Sequence, residues 1–329
     1  MTRVLVITNN LRQSSFRLRV EQLVGPLRAR GFELEVHIRP RGMLARRRLL
    51  RGARAYHAVL LQRKMLDPSD ARLLRRSARR VLYDVDDAVM RPQGPSNPIE
   101  AWRRRRRFDA TAQGVDHVVA GNEYLANIFR ERGCTATVLP TVVDPARYPV
   151  KSHVPTDAPR LVWIGSRSTL PYVREFLPVL RAAAARVPGL RLVTIADDTL
   201  SDQEAIPLTV EPMIWSADTE SDALCRGDIG IAPTPTDEWT IGKCGFKIVQ
   251  YMAAGLPVVA SPVGANGQIV VPGQTGYLPE TPAQWADAIE RLARDAALRE
   301  RLGRAGRARV ESRYSLDHAV GVWARLLAE

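Results

Sequence analysis

A glycine-containing loop that runs into a helix is the most informative stretch of the sequence. Gly242 and Gly245 precede a helical pattern that begins near Phe246, and Lys243 and Lys247 lie in the same loop and first turn. The N–H groups at a helix start have no partner within the helix and attract anions. The two lysines add positive charge suited to a phosphate or diphosphate. An ordinary loop–helix–strand unit is the alternative interpretation.

A second polar segment, Gly165–Thr169 (GSRST), directly follows the apolar run Leu161–Ile164, which is predicted to be a strand. Its serine and threonine hydroxyls are able to donate hydrogen bonds to phosphate. A helix N-cap at Ser168 is the alternative reading, because serine is a preferred capping residue.

Three carboxylates, those of Asp84, Asp86 and Asp87, come at the end of the apolar run Val81–Tyr83. Crowding like charges costs free energy unless something binds them. Such groups are able to orient hydroxyls of a sugar or an acceptor, or to activate the acceptor. The alternative is a loop that caps the next helix.

Polar and basic residues also follow two other apolar runs. The loop Asn9–Arg17 comes after the first predicted strand and includes Ser15, and Arg63 comes just after the strand Ala58–Leu61. We expect these residues to face the same cleft as the carboxylates. Simple surface charge is the alternative interpretation of the arginines.

Short runs of Val, Ile and Leu alternate with helical patterns along the whole chain, which predicts parallel sheets covered by helices on both sides. The alternation is interrupted at the polar, proline-rich segment 148–159, which reads as a linker. The sequence therefore predicts an α/β protein of two doubly wound, Rossmann-like domains. Ligands of such sheets bind outside the carboxyl ends of the strands, so we expect a site in a cleft where the two domains face each other.

The chain carries a net charge of +13, and its distribution is uneven. Residues 1–150 account for +15 and residues 151–329 for −2. Three basic stretches, at 45–54, 72–80 and 103–107, predict an anionic membrane surface as a partner. Leucines interleave with the arginines in the first two stretches, namely Leu49, Leu50, Leu73 and Leu74. Arginines on solvated faces, favoured by genome composition, are the alternative, and no nucleic-acid-binding signature is present.

Several classes of protein are excluded or disfavoured by composition. The three cysteines are widely spaced without a CxxC pair, and none of the five histidines forms a spaced pair, so a disulfide framework and a metal site are not expected. No run of 18 apolar residues occurs, and the first apolar run is too short for a signal peptide. We therefore expect a cytoplasmic protein, peripheral to the membrane at most.

The order of motifs in the second half resembles that of group 1 glycosyltransferases (glycosyltransferase family four, GT-B fold). The best match is Gln250–Val259 (QYMAAGLPVV), preceded by Asp228–Pro233 and followed by Gly273–Leu278. The resemblance covers residues 151–329 and extends more weakly into the first half, through Val119–Leu125 and Leu139–Asp144.

This resemblance implies that residues 151–312 bind the nucleotide-sugar donor. Gln250 stands where the family usually has the glutamate that contacts ribose, and Gly242 stands where it often has a glutamate that contacts the donor sugar. The donor-binding residues implied in this way are Gly165, Ser166, Arg167, Lys243, Gly245, Phe246, Lys247 and Gln250.

The resemblance further implies that residues 1–150 bind the acceptor and that residues 313–329 form a helix crossing back to that domain. Asp86, Asp87 and Lys247 are the expected catalytic residues. The expected acceptor-binding residues are Ser15, Arg17, Arg63 and Asp84. The implied activity is a retaining, metal-independent sugar transfer from a nucleotide diphosphate sugar to a hydroxyl acceptor, with no further cofactor. An epimerase acting on nucleotide sugars and a non-enzymatic polyanion binder are the alternatives.

Overall fold

The structure is a computed structural model of the 329-residue chain, and it describes residues 1–92, 94, 96–200 and 208–329. The chain divides into two compact units that are not continuous in sequence. Unit 1 comprises Met1–Val142, Asp237–Cys244 and Leu316–Glu329, and unit 2 comprises Val143–Thr236 and Gly245–Ser315. The predicted linker, 148–159, lies within unit 2, and the C-terminal helix lies within unit 1.

Each unit contains a parallel six-stranded sheet within the described residues. The order in unit 1 is β2-β1-β3-β4-β5-β6, and that in unit 2 is β12-β11-β10-β7-β8-β9. The strands of unit 1 are β1 (Thr2–Thr8), β2 (Phe32–Ile38), β3 (Ala58–Gln62), β4 (Val81–Val85), β5 (His117–Ala120) and β6 (Ala136–Val138). Those of unit 2 are β7 (Arg160–Ile164), β8 (Arg191–Ala196), β9 (Thr209–Ile214), β10 (Ile229–Ala232), β11 (Val258–Ala260) and β12 (Gly276–Tyr277). The central strands are continuous apolar runs because helices cover both of their faces.

In the described residues, helices connect most of the strands that follow one another within a sheet, as parallel pairing requires. The α-helices are α1 (Ser14–Phe16), α2 (Gln22–Ala29), α3 (Met43–Gly52), α4 (Pro68–Ser77), α5 (Pro98–Gly114), α6 (Glu123–Arg130), α7 (Leu170–Arg186), α8 (Glu220–Leu224), α9 (Phe246–Ala253), α10 (Asn266–Ile269), α11 (Pro282–Arg294), α12 (Ala296–Arg313) and α13 (Leu316–Ala328). A π-helical turn, Arg17–Glu21, joins α1 to α2. No helix in the described part of the chain combines the length and apolar character needed to cross a bilayer.

The register of the strands brings the sequence-predicted polar residues of unit 1 to one edge. Gln62 at the end of β3 pairs with Asp84 near the end of β4, and Val85 pairs with Ala120 at the end of β5. The residues that follow these strands therefore emerge side by side at the carboxyl edge of the sheet.

The interpretation that the leucines of the first two basic stretches face a lipid surface is wrong. Leu50 and Leu74 are buried in the core of unit 1, and Leu49 and Leu73 pack against that core. Their spacing satisfies the helix periodicity of a soluble domain, so these leucines are not available to a lipid surface.

The C-terminal helix contributes to the core of unit 1. Trp323 of α13 is almost completely buried in a cluster with Val20, Leu23 and Leu27. The helix thus closes a face of the unit that begins more than 290 residues earlier in the chain.

We expect Trp323→Ala to lower the free energy of unfolding by about 3–5 kcal/mol, because a large buried side chain is lost and a cavity remains. Urea denaturation followed by circular dichroism measures the change. Trp102→Ala is the matched control, since Trp102 is largely exposed on α5. Equal stabilities for the two variants would contradict the anchoring role of α13.

Candidate functional site

The segment Asp84–Ala88, here called the carboxylate loop, begins with a fully buried ion pair. Both oxygens of Asp84 accept hydrogen bonds from the guanidinium of Arg19, with the Nη2–Oδ1 distance at 2.6 Å and the Nε contacts at 2.9 and 3.0 Å. Arg19 also donates to the Leu139 carbonyl and to Thr141 Oγ1. Burial opposes the charge on Arg19, but Asp84 outweighs burial and raises the pKa of the arginine.

This burial changes the role expected for Asp84. The sequence predicts a direct contact with the acceptor, whereas the carboxylate is inaccessible to solvent and fully engaged by Arg19. Ser15 has a similar position, because its hydroxyl accepts from Gln62 Nε2, and Gln62 Oε1 accepts in turn from Thr8. These residues hold the strand ends together, while Arg17 is half-buried in the π-helical turn.

Arg63 links β3 to the carboxylate loop in an unusual backbone conformation. Its φ is +59°, the one positive value among non-glycine residues in the described ranges. Its N–H donates to the Asp84 carbonyl, and its own carbonyl accepts from the Tyr83 hydroxyl. Strained conformations of this kind persist only where the surroundings hold them, and they cluster at functional sites.

The strained backbone directs the Arg63 guanidinium at two neighbouring carboxylates. Its Nη2 lies 2.6 Å from Asp87 Oδ2, and its Nε lies 3.8 Å from Asp86 Oδ1. The Asp86 and Asp87 side chains are only 11% and 23% exposed. Within the part of the chain that the structure describes, the buried Asp86 Oδ1 accepts no hydrogen bond.

The pKa of Asp87 is raised to about 6. Burial is the main cause and the neighbouring Asp86 carboxylate adds to it, while the positive charges of Arg63 and Lys243 oppose the shift. A carboxyl that titrates near neutral pH is suited to accepting and returning a proton.

Lys243 lies in unit 1 with the carboxylates, and its expected contact with the donor stays a prediction. The segment Asp237–Cys244, here called the lysine loop, packs on unit 1, and the Lys243 ammonium lies 6.0 Å from the centre of the Trp239 ring. Lys247 belongs to unit 2. The division of the chain therefore falls between two lysines that are only four residues apart.

The predicted anion site of unit 2 is built on α9. Gly245 precedes the helix with φ +63°, and a Cβ there would lie 2.6 Å from Ile269 Cδ1. Glycine is thus needed both for the backbone conformation and for the close approach. The helix dipole places partial positive charge at the start of α9, where the Ile248 N–H donates to the Gly245 carbonyl at 2.9 Å.

An indole ring supports Lys247. Its ammonium nitrogen lies 4.8 Å from the centre of the ring of Trp163, which is fully buried in β7. A Cβ at Gly165 would come within 2.4 Å of the same ring, so the glycine that follows the strand makes room for it. The cation–π contact fixes the lysine near the start of α9.

Three of the side chains predicted to bind the donor, on the loop after β7 and on α9, already have polar partners within the protein. Ser166 and Ser168 exchange a hydrogen bond of 2.9 Å between their hydroxyls. Arg167 is 74% exposed and pairs with Asp198 at 3.0 Å. Gln250 is buried and its Nε2 lies 3.4 Å from the Tyr148 hydroxyl, so its expected contact with ribose stays a prediction.

Sequence reasoning missed three supporting residues, which are Asn122, Trp163 and Cys244. Asn122 and Cys244 lie within motifs that were recognised, and Trp163 is two residues before a recognised glycine. Nothing in a single sequence indicates the partner of a buried arginine such as Arg19, because that partner is 65 residues away.

Residues 158–295 match the family model described as "Glycosyl transferases group 1". These residues form a group 1 glycosyltransferase domain. The domain includes β7, the start of α9 and Lys247, so the lysine on Trp163 lies within the matched region.

Curated relatives of this glycosyltransferase domain match parts of the chain. Glycogen synthase of Mycobacterium tuberculosis is 26% identical over 204 residues, which is 59% of this chain and 48% of the relative. D-inositol 3-phosphate glycosyltransferase of Corynebacterium diphtheriae is 41% identical over 61 residues, which is 18% of this chain and 14% of that protein. The chain spans about half the length of the first of these relatives.

Solved structures show the GT-B fold of the chain. Sucrose-phosphate synthase from Thermosynechococcus elongatus has a TM-score of 0.73 at 17% identity and covers 99% of this chain and 98% of its own. Anabaena HepE, solved in complex with UDP and glucose, has a TM-score of 0.74 at 15% identity, with full coverage of both chains. Both likenesses concern the fold.

We expect Arg63→Met to raise the pKa of Asp87 further above about 6, because the variant removes a positive charge that favours the ionised carboxylate. Carbon-13 NMR titration of aspartate-labelled protein measures the pKa directly. Arg132→Met is the control, since that guanidinium pairs with Asp109 at 3.1 Å. An unchanged Asp87 titration in the Arg63 variant would show that the pairing is absent in solution.

Proposed function

We propose that the protein is a retaining glycosyltransferase that moves a sugar from a nucleotide diphosphate sugar to a hydroxyl acceptor. The observation that carries the proposal is the start of α9, where Lys247 lies over the Trp163 ring at the positive end of the helix dipole, within the residues that match the group 1 glycosyltransferase model. The glucose and UDP in the HepE complex support a nucleotide-sugar donor. The alternatives, an epimerase and a non-enzymatic polyanion binder, share no such specific support.

The proposed chemistry depends on charge that develops as the glycosidic bond of the donor breaks. The diphosphate leaving group gains negative charge, and fixed cations and amides stabilise that charge more in the transition state than in the ground state. We assign this task to Lys247 and to the amides that begin at Phe246, with Gly245 keeping the approach open. Ser166 donates a hydrogen bond from its hydroxyl to the diphosphate. Arg167 binds the diphosphate in place of Asp198, and the loss of that exposed ion pair costs little free energy.

We assign binding of the acceptor to the carboxylates of unit 1. An ionised Asp87 accepts a hydrogen bond from the acceptor hydroxyl, and the partly exposed Asp86 carboxylate offers a second group for orientation. Arg63 holds both groups, and the half-buried Arg17 supplies a cation on the neighbouring turn. In this assignment Asp84 and Ser15 act through the strand ends that they hold and do not touch the acceptor.

We expect Lys247→Met to lower kcat/KM for sugar transfer by about 10²-fold or more, as when a donor to a developing oxyanion is lost. Transfer from a panel of nucleotide sugars is measured by nucleotide release together with product mass. Lys247→Arg, which keeps the charge, should retain more activity than the methionine variant.

The same assay distinguishes the proposal from its alternatives. Epimer formation from the donor without any acceptor would identify an epimerase instead. Full transfer activity in Lys247→Met would contradict the assigned role. Transfer that persists in EDTA supports metal independence, which the lysine and the helix amides are proposed to provide, and its loss would contradict it.

We further propose that the enzyme works at the cytoplasmic face of an anionic membrane. Support comes from α3, which exposes Met43 and Leu44 by 55% and 79% beside three arginines of the same helix. These arginines, together with Leu44, Gly52 and Arg54, surround a depression of about 640 Å³. Its arginines, Arg47, Arg48, Arg51 and Arg54, pair with no carboxylate among the described residues. Exposed apolar tips beside unpaired cations are typical of helices that lie on lipid.

We expect the triple variant Arg47→Gln, Arg48→Gln, Arg51→Gln to weaken binding to phosphatidylserine-containing vesicles by about 10²-fold, at about 1 kcal/mol for each basic residue. Flotation at increasing salt measures the binding. The control carries the same charge change in unit 2, at Arg301, Arg304 and Arg313. Equal binding to neutral and anionic vesicles would contradict the membrane assignment.

A further inference from the structure

A buried asparagine makes contact with the lysine loop. The side-chain Nδ2 of Asn122 donates to the carbonyls of Gly242 and Lys243, each at 3.0 Å, and its Oδ1 accepts from the N–H of Leu125 at 2.8 Å. The side chain is 2% exposed. Both donors and the acceptor of the amide are therefore used in a place where an unmade hydrogen bond is costly.

The capping function explains only one of these three bonds. Asn122 precedes α6, and its Oδ1 caps the helix as serine or threonine would. A hydroxyl at this position cannot donate two hydrogen bonds to two carbonyls. The two donations from the amide therefore require a reason other than the start of α6.

The lysine loop is closely packed against unit 1 on either side. A Cβ at Gly121 would lie 2.2 Å from Cys244 Sγ, and a Cβ at Gly242 would lie 2.5 Å from Ala88 Cβ. The Cys244 thiol donates to the Asp86 carbonyl at 2.9 Å. Three segments that are distant in sequence thus interlock at the carboxyl edge of the unit 1 sheet.

The interlock joins Lys243 to the carboxylate pair. Asp87 is faced by Asp86 from its own loop, by Arg63 from the end of β3, by Arg19 from the π-helical turn and by Lys243 from the lysine loop. The Cys244 thiol next to them is kept neutral, because burial raises its pKa. Of the cations, Lys243 is carried by a loop whose backbone is held by the Asn122 amide.

We propose that Asn122 is a positioning residue, whose amide fixes the backbone of Gly242 and Lys243 against the carboxylate loop so that the Lys243 ammonium acts electrostatically on Asp87. The inference rests on the proposed function for its catalytic meaning, since these carboxylates are assigned to the acceptor. The placement of the lysine itself is independent of which reaction the protein catalyses.

The test uses Asn122→Ser, which keeps a capping oxygen and loses both amide donations. We expect this variant to raise the pKa of Asp87, measured by carbon-13 NMR, by about as much as Lys243→Met does. In the double variant the two changes should not add, because each removes the same ammonium group from the carboxylates. The acidic limb of the pH profile of kcat should move upward in parallel.

Asn97→Ser is the matched control, because Asn97 caps α5 through one bond to the Glu100 N–H and lies on the surface. Asn122→Thr keeps a capping oxygen as well and replaces the serine variant if that protein does not fold. An Asp87 pKa that rises in Lys243→Met but not in Asn122→Ser would overturn the proposal. So would additive shifts, or no shift with Lys243→Met. The NMR readout needs no substrate, so a failure of the proposed sugar transfer is seen separately in the Lys247 assay.

Discussion

Mutual repulsion among the three carboxylates at the end of β4 is the constraint around which unit 1 is arranged. In a poorly solvated place such charges are tolerated only with cations close by. Arg19 comes from the π-helical turn, Arg63 from a strained residue after β3, and Lys243 from a loop more than 150 residues further on. Because each cation is anchored by other contacts, the charged groups are held in place before any ligand arrives, which is the condition for electrostatic catalysis.

The alternation of apolar runs and helices was sufficient to predict two parallel α/β sheets. Most strands that are buried on both sides, such as β1 and β10, are visible in the sequence as runs of Val, Ile and Leu. The edge strands β9 and β12 were not predicted, because β9 is half-exposed with a proline inside it and β12 has only two residues. The leucines of α3 and α4 were misread since periodicity shows an apolar face and does not say what covers it.

In the candidate site, the features that were predicted come from residues close together in sequence, and those that were missed come from contacts between distant residues. The glycine before α9 and the carboxylates after β4 are local signals, and the structure places them at a helix start and at a sheet edge. The grouping of Lys243 with Lys247 at the donor stays a prediction, whereas the contacts of Asn122 and Gly121 that attach the lysine loop to unit 1 could not be predicted. Contacts over more than 100 residues, including those of Arg19 with Leu139, cannot be read from spacing.

The chain passes from one unit to the other at four points, so neither unit is a continuous segment. A fragment that ends at Val142 would keep the whole unit 1 sheet yet lack both the lysine loop and α13. Its apolar groove around Val20 and Leu23 would be open to water, and the carboxylates would lose a counter-charge. Dissecting this protein into halves would thus yield an aggregation-prone first half, because its uncovered apolar groove would be free to associate.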